Sequence, residues 1–254
     1  MTPDRNDLPK LAAPALRALT SAGIASLKDL TKVSEDELMQ LHGMGRNALD
    51  TLRDALKSKG WSFRTTKKSA GGKMDKTIRT HLDNIRSTDG KLQNEAYYFL
   101  IDITEKPVEW AYDAWDELVA GLTHEDNHVR AISSQVLANL GRSDPKGRMF
   151  KDFDRLLEVT RDEKFVTARH CLQSIWKVGL GGKKAQELVV KGLEKRFKEC
   201  EKEKNGTLIR YDILVGLRNL YDATISSEIR ETALKLIELE RDPKYKKKYA
   251  GAWK

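Results

Sequence analysis

The 254-residue sequence predicts an all-α protein, in which a flexible linker joins a small helix-hairpin-helix bundle to an α-solenoid of about four helix pairs. Three observations support this fold class. A two-glycine turn separates two amphipathic helical segments near residue 45, a sequence pattern recurs about every forty residues after residue 90, and the alternation typical of strands is scarce. We therefore divide the protein into a bundle at 1–63, a linker at 64–76, a solenoid at 77–240 and a basic tail at 241–254.

The stretch LHGMGRNAL at 41–49 forms the turn of the predicted hairpin. Gly43 and Gly45 are two residues apart, and glycine tolerates the positive φ values that a tight turn demands. Glycine also leaves no side chain over the backbone N–H groups that open the next helix, and these groups together with the helix dipole can hold a phosphate oxygen. The segment Ser34-Glu35-Asp36-Glu37 predicts a capping box at the start of the first helix, and Gly60 ends the second.

Residues 8–63 resemble the C-terminal domain of the bacterial RNA polymerase α subunit, and more closely a group of short bacterial proteins with that fold. The resemblance rests on the LxxAGI-xxLxDL stretch from Leu19 to Leu30, on the glycine hairpin, and on the closing Gly60-Trp61-Ser62-Phe63. It implies a compact helical bundle that contacts the DNA backbone and minor groove and can also dock on proteins.

The resemblance has one departure that affects DNA recognition. An arginine near the start of the family's first helix reads the minor groove, and Pro14 aligns with that position. Arg17, one helical turn further on, is the nearest basic substitute, so weakly sequence-selective binding to the backbone is expected. The predicted DNA-binding residues are the turn residues and three basic side chains: Gly43, Met44, Gly45, Arg46, Asn47, Arg17, Arg53 and Lys57.

The remainder of the sequence repeats itself. Three segments align with an eight-residue offset to a leucine, a fourth fits less well, and their leading residues are 37, 38 and 42 positions apart: 92–96, 129–133, 167–171 and 209–213. A helix-pair period near forty is typical of HEAT-type solenoids, and the aliphatic–Arg–x–x–small pattern resembles that family. Asp89 and Asp126 stand where they can cap two of the second helices.

The net charge of +8 is unevenly distributed. Residues 1–73 contain 13 Lys+Arg and 8 Asp+Glu, residues 241–254 contain 6 and 1, and the middle is close to neutral. Positive potential that could attract a polyanion is therefore concentrated at the two ends. The basic and aromatic tail is expected either to add a nucleic-acid contact through charge and stacking or to be an unstructured, solubilising end.

Composition also excludes several classes of protein. No segment approaches 18 apolar residues, so no membrane span is expected, and MTPDRNDLPK lacks the apolar region of a signal peptide. Two cysteines, Cys171 and Cys200, favour a reducing, cytoplasmic location, and both are expected to be small buried side chains.

Three patterns suggest a metal or phosphate site at first sight, and none is convincing. His124 and His128 flank two acids but lack a third ligand, and His170 and Cys171 are adjacent on a helix and so point in different directions. Gly181-Gly182-Lys183-Lys184 lacks the preceding strand and the spacing of a P-loop, so it predicts an inter-repeat turn. We expect no metal and no cofactor.

Three functions are compatible with these features. The first is a non-enzymatic adaptor in the bacterial cytosol, with DNA on the hairpin and an unidentified protein on the concave face of the solenoid. The second is a protein scaffold that binds no DNA. The third is a HEAT-like DNA glycosylase for alkylated bases, for which Trp110, Trp115, Asp116 and Trp176 supply the residue types, although a near-neutral array is a poor clamp for a duplex.

Overall fold

The computed structural model describes residues 7–33, 35–39, 41, 43–63 and 74–253, without the side chains of Asp36 and Arg46. Over these residues the secondary structure consists of α-helices and short 3₁₀ segments, with no strand, which confirms the all-α prediction. The protein divides into two compact units at Ala70 and Gly71. None of the described helices combines the length and the apolar character needed to cross a bilayer.

Four short helices build the N-terminal unit around one apolar core. They are α1 (Ala13–Ser21), α2 (Leu27–Leu30), α3 (Glu35–Met39) and α4 (Arg46–Ser58). Leucines from all four helices form the core, and Leu19, Leu30, Leu38 and Leu52 are each at most 1% exposed. The helical spacing of the apolar residues therefore places them as predicted. Ser34, the first residue of the predicted capping box, lies outside the described residues.

The C-terminal unit consists of helices arranged in successive pairs. They are α5 (Lys76–Asn84), α6 (Gly90–Ile103), α7 (Ala111–Gly121), α8 (Asn127–Leu140), α9 (Met149–Glu158), α10 (Phe165–Ser174), α11 (Lys183–Glu199), α12 (Gly206–Thr224), α13 (Ser227–Glu238) and α14 (Pro243–Gly251). The second helices of the pairs, α6, α8, α10 and α12, contact one another in that order, and so do α7, α9, α11 and α13. One large apolar core runs between these two layers.

Each repeat detected in the sequence corresponds to one helix pair. The leading residues Leu92, Val129, Thr167 and Ile209 are the third or fourth residues of the second helices. Stacking is required because one pair cannot bury its own apolar face. The pairing agrees with the predicted organisation, and membership of the HEAT family itself stays a prediction.

Aspartates cap the second helices as the sequence predicts. The carboxylate of Asp89 accepts a hydrogen bond from the Lys91 amide, and that of Asp126 accepts one from the His128 amide, each at 2.8 Å. These bonds satisfy amides that have no partner inside their helices.

The arginine of the repeat pattern connects neighbouring helix pairs. In α8, Arg130 forms an ion pair of 2.5 Å with Asp162, which precedes α10. In α12, Arg210 forms an ion pair of 3.0 Å with Glu240, beyond α13. The Arg210–Glu240 pair is buried and the Arg130–Asp162 pair is largely shielded from solvent. Such pairs stabilise a fold only when further hydrogen bonds satisfy them, as the carbonyl of His124 does for Arg130 at 2.8 Å.

Helix α5 begins inside the predicted linker. The side chain of Asp75 accepts a hydrogen bond of 2.8 Å from the Ile78 amide and caps α5, which begins at Lys76. The predicted linker at 64–76 therefore extends too far, because its last residues belong to this helix and its cap. Residues 64–73 of the linker lie outside the described residues.

The C-terminal basic segment is a helix that packs on the solenoid. Tyr249 of α14 is fully buried, and its hydroxyl donates a hydrogen bond of 2.9 Å to the Thr207 carbonyl. The Trp253 indole donates one of 3.1 Å to the Leu214 carbonyl. The expectation of an unstructured end is therefore wrong, because aromatic residues four apart give this segment an apolar face. Most of its lysines remain exposed, so a nucleic-acid contact there stays a prediction.

A buried arginine fixes the end of α11. The Arg196 side chain is fully buried, and its guanidinium contacts both carboxylate oxygens of Glu203, at 2.6 and 2.8 Å. It also donates to the hydroxyl and the carbonyl oxygen of Thr160, each at 3.1 Å. The hydrogen bonds from Arg196 lower the pKa of Glu203 below its ordinary value of 4.5, although burial acts in the opposite direction.

The ion pair of Arg196 and Glu203 predicts that the stability of the C-terminal unit decreases in acid. A carboxylate with a lowered pKa in the folded state adds stability above its unfolded pKa, and this stability is lost as the pH falls through the folded pKa. We expect the free energy of unfolding, measured with urea, to decrease as the pH falls below 4.5, and Glu203→Gln to reduce that decrease. Glu231→Gln, at an exposed site, is the control, and equal pH dependence in all three proteins would contradict the assignment.

Candidate nucleic-acid interface

The hairpin between α3 and α4 leaves backbone N–H groups without partners inside the helix. The first hydrogen bond of α4 runs from the Leu49 amide to the Gly45 carbonyl at 3.0 Å. The amides of residues 46–48 therefore have no partner within the helix. Gly45 is the N-cap residue and has no side chain to accept from them. An acceptor from outside the helix, such as a phosphate oxygen, would satisfy these amides and experience the positive end of the helix dipole.

The two glycines of the turn differ in backbone conformation and in the space around them. Gly43 adopts a φ of +95°, and a Cβ there would lie 2.9 Å from the Pro14 carbonyl oxygen. Gly45 adopts an extended φ of −129°, and a Cβ there would meet no atom within 4 Å. Of these two glycines, only Gly43 has the positive φ that the sequence pattern predicts. Gly45 has an ordinary extended backbone, and its lack of a side chain leaves the neighbouring backbone facing open space.

Only part of the turn can be reached from solvent. Gly43, Gly45 and Asn47 are exposed, whereas Met44 is 9% exposed and its side chain packs in the core of the unit. Met44 can therefore contribute only its backbone to a ligand, and its side chain anchors the turn. The side chain of Arg46 lies outside the described residues, while its backbone forms the first residue of α4.

The structure brings Arg17 next to the turn. Arg17 is exposed on α1, and it lines an open cavity of about 350 Å³ together with Pro14, Ser21, Leu41 and Gly43. Among the described residues, no acidic side chain pairs with it. No local pattern indicates the contributions of Ser21 and Leu41, because they reach the cavity only through the packing of α1 against the turn.

Arg53 and Lys57, the other two predicted basic residues, do not line this cavity. Arg53 contacts both carboxylate oxygens of Glu35 at 2.7 and 2.9 Å, and one oxygen of Asp50 at 2.5 Å. The hydrogen bonds to Glu35 and Asp50 raise the pKa of Arg53, so its charge is compensated and it joins α3 to α4. Lys57 is exposed, but eleven residues of helix place it ~16 Å from Arg46 along the axis.

The histidines and Cys171 considered as metal or thiol candidates have structural roles in the C-terminal unit. Within the described residues, no group of three or more His, Cys, Asp or Glu side chains could hold a metal ion. The His124 ring accepts from the Asp126 amide at 3.1 Å, and His128 lies beside the Asp126 carboxylate at 3.1 Å, so both stabilise a turn. Burial raises the pKa of the Cys171 thiol to about 12, which keeps it protonated and unreactive.

Two of the three tryptophans named for a glycosylase, Trp110 and Trp115, are buried by packing, whereas Trp176 is only partly buried. Trp115 is fully buried, and its indole donates a hydrogen bond of 2.9 Å to Asp152. Trp110 is 9% exposed and belongs to the same core. Asp116 is paired with Arg148, and the Trp176 indole donates to the Gln173 carbonyl. A ring sealed in the core cannot stack on an extruded base.

Comparison with known proteins agrees with the fold of the N-terminal unit. No match was found among curated proteins or among solved structures. Residues 10–58 match the family model for the C-terminal domain of the bacterial RNA polymerase alpha subunit, and this match covers less than a quarter of the protein. It includes α1, α2, α3, the hairpin turn and α4. The N-terminal unit is thus similar to that domain, as its sequence pattern predicted.

Proposed function

We propose that this protein is a non-enzymatic, DNA-binding adaptor of the bacterial cytosol. Its N-terminal unit grips the DNA backbone at the hairpin, and its helix-pair array binds a protein. The observation that carries the DNA part is the exposed start of α4, where the amides of 46–48 have no helical partner, together with Arg17, which lines the cavity beside Gly43 of the same turn. The similarity of residues 10–58 to the polymerase domain supports the same assignment.

The geometry also indicates how strong this binding is. A phosphate at the start of α4 would meet neutral amides and Arg17, because Arg53 is neutralised by Glu35 and Asp50. With Arg17 at this phosphate, and Arg46 and Lys57 of the predicted set on neighbouring phosphates, two or three cations are engaged, and the slope of log K against log salt concentration is expected to be about −2 to −3. Binding is therefore weak at physiological salt and is best measured near 50 mM salt.

Gly45→Asp separates phosphate binding from folding. The N-cap favours Asp, the backbone there is already extended, and a Cβ meets nothing, so the free energy of unfolding is expected to stay equal or to rise by a few tenths of a kcal/mol. The new carboxylate would occupy the place of the phosphate and repel it. We expect the affinity for duplex DNA to fall at least tenfold in fluorescence anisotropy titrations.

Two further variants complete this experiment. Gly45→Ala adds no charge and is expected to bind DNA within about threefold of the wild type. Arg17→Gln is expected to weaken binding and to make the salt slope less negative by about one. Unchanged DNA affinity in Gly45→Asp, with the wild type binding DNA, would move the interface away from the hairpin.

A protein scaffold without DNA binding is the second candidate. It is favoured by hydrophobic side chains that the N-terminal unit exposes: Leu16 at 40%, Met39 at 40% and Trp61 at 41%. Exposed apolar groups of this kind are typical of protein-interaction surfaces when they are contiguous. Absence of duplex binding by the wild type at 50 mM salt would select this candidate.

A further inference from the structure

A neutral groove crosses the second helices of three successive pairs. It has a volume of about 640 Å³ and is lined by thirteen residues of α6, α8 and α10. None of the thirteen is Lys, Arg, Asp or Glu, although these residues make up 33% of the sequence. We call this surface the α6–α8–α10 groove. Its lack of lysine and arginine distinguishes it from the basic ends of the molecule and gives it little attraction for a polyanion.

The two arginines next to the groove are paired with neighbouring acids. Arg130 of α8 is paired with Asp162 at 2.5 Å, and Arg169 of α10 is paired with Asp212 at 2.7 Å. Both acids are only 5% exposed, so these pairs are fixed parts of the fold. The groove therefore does not gain a positive potential from the arginines beside it.

Exposed hydrophobic side chains stand on both sides of the groove. Tyr98 of α6 is 64% exposed and Val166 of α10 is 66% exposed, and among the large hydrophobic residues described only Ile225 is more exposed. Leaving such side chains in water is unfavourable, and exposed apolar groups around a concave surface mark interaction sites. Tyrosine is enriched among the residues that dominate protein interfaces.

The polar side chains of the groove suit a peptide backbone. Asn94 and Asn127 have amide groups that make no hydrogen bond to any described residue. Each offers two donors and one acceptor, which match the carbonyl and N–H groups of an extended peptide. Gln135 is already engaged, because it accepts a hydrogen bond of 3.2 Å from the Tyr97 hydroxyl.

From these observations we infer that the α6–α8–α10 groove binds an extended, uncharged segment of a protein partner. Its apolar side chains would contact Tyr98 and Val166, and its backbone would bond to Asn94 and Asn127. Three packed helices at interaxial distances of 8–10 Å span ~20 Å, which corresponds to about six extended residues. The inference rests on the proposed adaptor function and specifies the chemistry of its protein partner.

The test selects peptides on the full-length protein. A phage library of random twelve-residue peptides is selected on the wild type and counter-selected on Val166→Asp, so that only groove-dependent sequences remain. We expect these sequences to share a core of about six residues that is depleted in Lys, Arg, Asp and Glu and enriched in aliphatic and aromatic residues. Failure to obtain groove-dependent sequences, or enrichment of charged ones, would overturn the inference.

Affinities of one selected peptide then test the individual contacts. We expect fluorescence anisotropy to show at least tenfold weaker binding for Val166→Asp and Tyr98→Ala. Ile225→Asp is the matched control, because it places the same charge at a side chain that is 70% exposed and outside the groove, and it should bind within twofold of the wild type. Equal weakening by Ile225→Asp would show a general effect of charge and refute the site.

DNA titration of the same preparations separates this inference from the adaptor proposal. If Val166→Asp and the wild type bind duplex DNA equally while no groove-dependent peptide is found, the inference fails and the hairpin assignment stands. If peptides bind the groove but the wild type binds no DNA, the DNA part of the adaptor proposal fails and the groove stands.

Discussion

Replacing Gly43 with alanine is expected to destabilise the N-terminal unit by about 3 kcal/mol. A non-glycine residue at positive φ costs ~1–2 kcal/mol, and overpacking against fixed atoms costs ~1–3 kcal/mol more. Both apply here, because φ is +95° and the new Cβ would lie 2.9 Å from the backbone oxygen of Pro14. A backbone atom in α1 cannot move aside as the end of a flexible side chain would. Since a helical unit of this size has only ~3–5 kcal/mol of stability, most of it would be lost.

Hydrogen exchange of the full-length protein measures this effect where it occurs. Amides of α4 should exchange much faster in Gly43→Ala, whereas peptides from α8 and α12 should keep the wild-type rates. Gly45→Ala is the control, because its extended backbone and open surroundings limit the expected cost to under ~1 kcal/mol. Equal protection of the α4 amides from exchange in Gly43→Ala and Gly45→Ala would show that the close approach of Gly43 to Pro14 is not required. In Gly43→Ala we expect both DNA affinity and the protection of α4 to decrease. In Gly45→Asp we expect DNA affinity to decrease while the protection of α4 is retained.

The hairpin shows which features can be predicted from local sequence patterns and which cannot. Glycine spacing and helical periodicity predicted two helices and a turn, and the structure has them at Glu35–Met39 and Arg46–Ser58. The partner that makes Gly43 necessary, the Pro14 carbonyl, lies 29 residues away, and no local pattern contains it. Arg53 illustrates the same limit, since its position beside Asp50 is visible in the sequence but its pairing with Glu35 depends on the packing of α3 on α4.

The helix pairs of the C-terminal unit were easier to predict from the sequence, because their interactions repeat from one pair to the next. Asp89 and Asp126 cap helices by local geometry, and the arginine of the repeat pattern finds an acid in the neighbouring pair, as Arg130 does with Asp162. The neutral groove could not be predicted in this way. Its residues come from three helices, and a lack of charge becomes informative only after the fold has brought them together.

The second large effect is expected at Tyr249, where a charge-rich segment conceals a core residue. Three of the four residues before it are lysines, and this favours a solvated end when composition alone is considered. The structure buries the ring completely in α14, against Phe197 at 6.4 Å and Tyr211 at 6.5 Å between ring centroids. Tyr249→Ala is expected to lower the free energy of unfolding of the C-terminal unit by ~3–5 kcal/mol, because it leaves a cavity of aromatic size.

Tyr249→Phe separates packing from hydrogen bonding at the same site. It keeps the ring and loses only the hydroxyl that donates to the Thr207 carbonyl, so a cost of ~1 kcal/mol is expected in urea unfolding. Replacing the exposed Lys247 with alanine should change stability by less than ~0.5 kcal/mol. If Tyr249→Ala proves as mild as Lys247→Ala, α14 does not complete the core and the segment from 241 onward is a solvated extension. If the expected order of Ala, Phe and wild type is found, the basic residues of this segment are held on a rigid helix. Their charge is then presented at fixed positions.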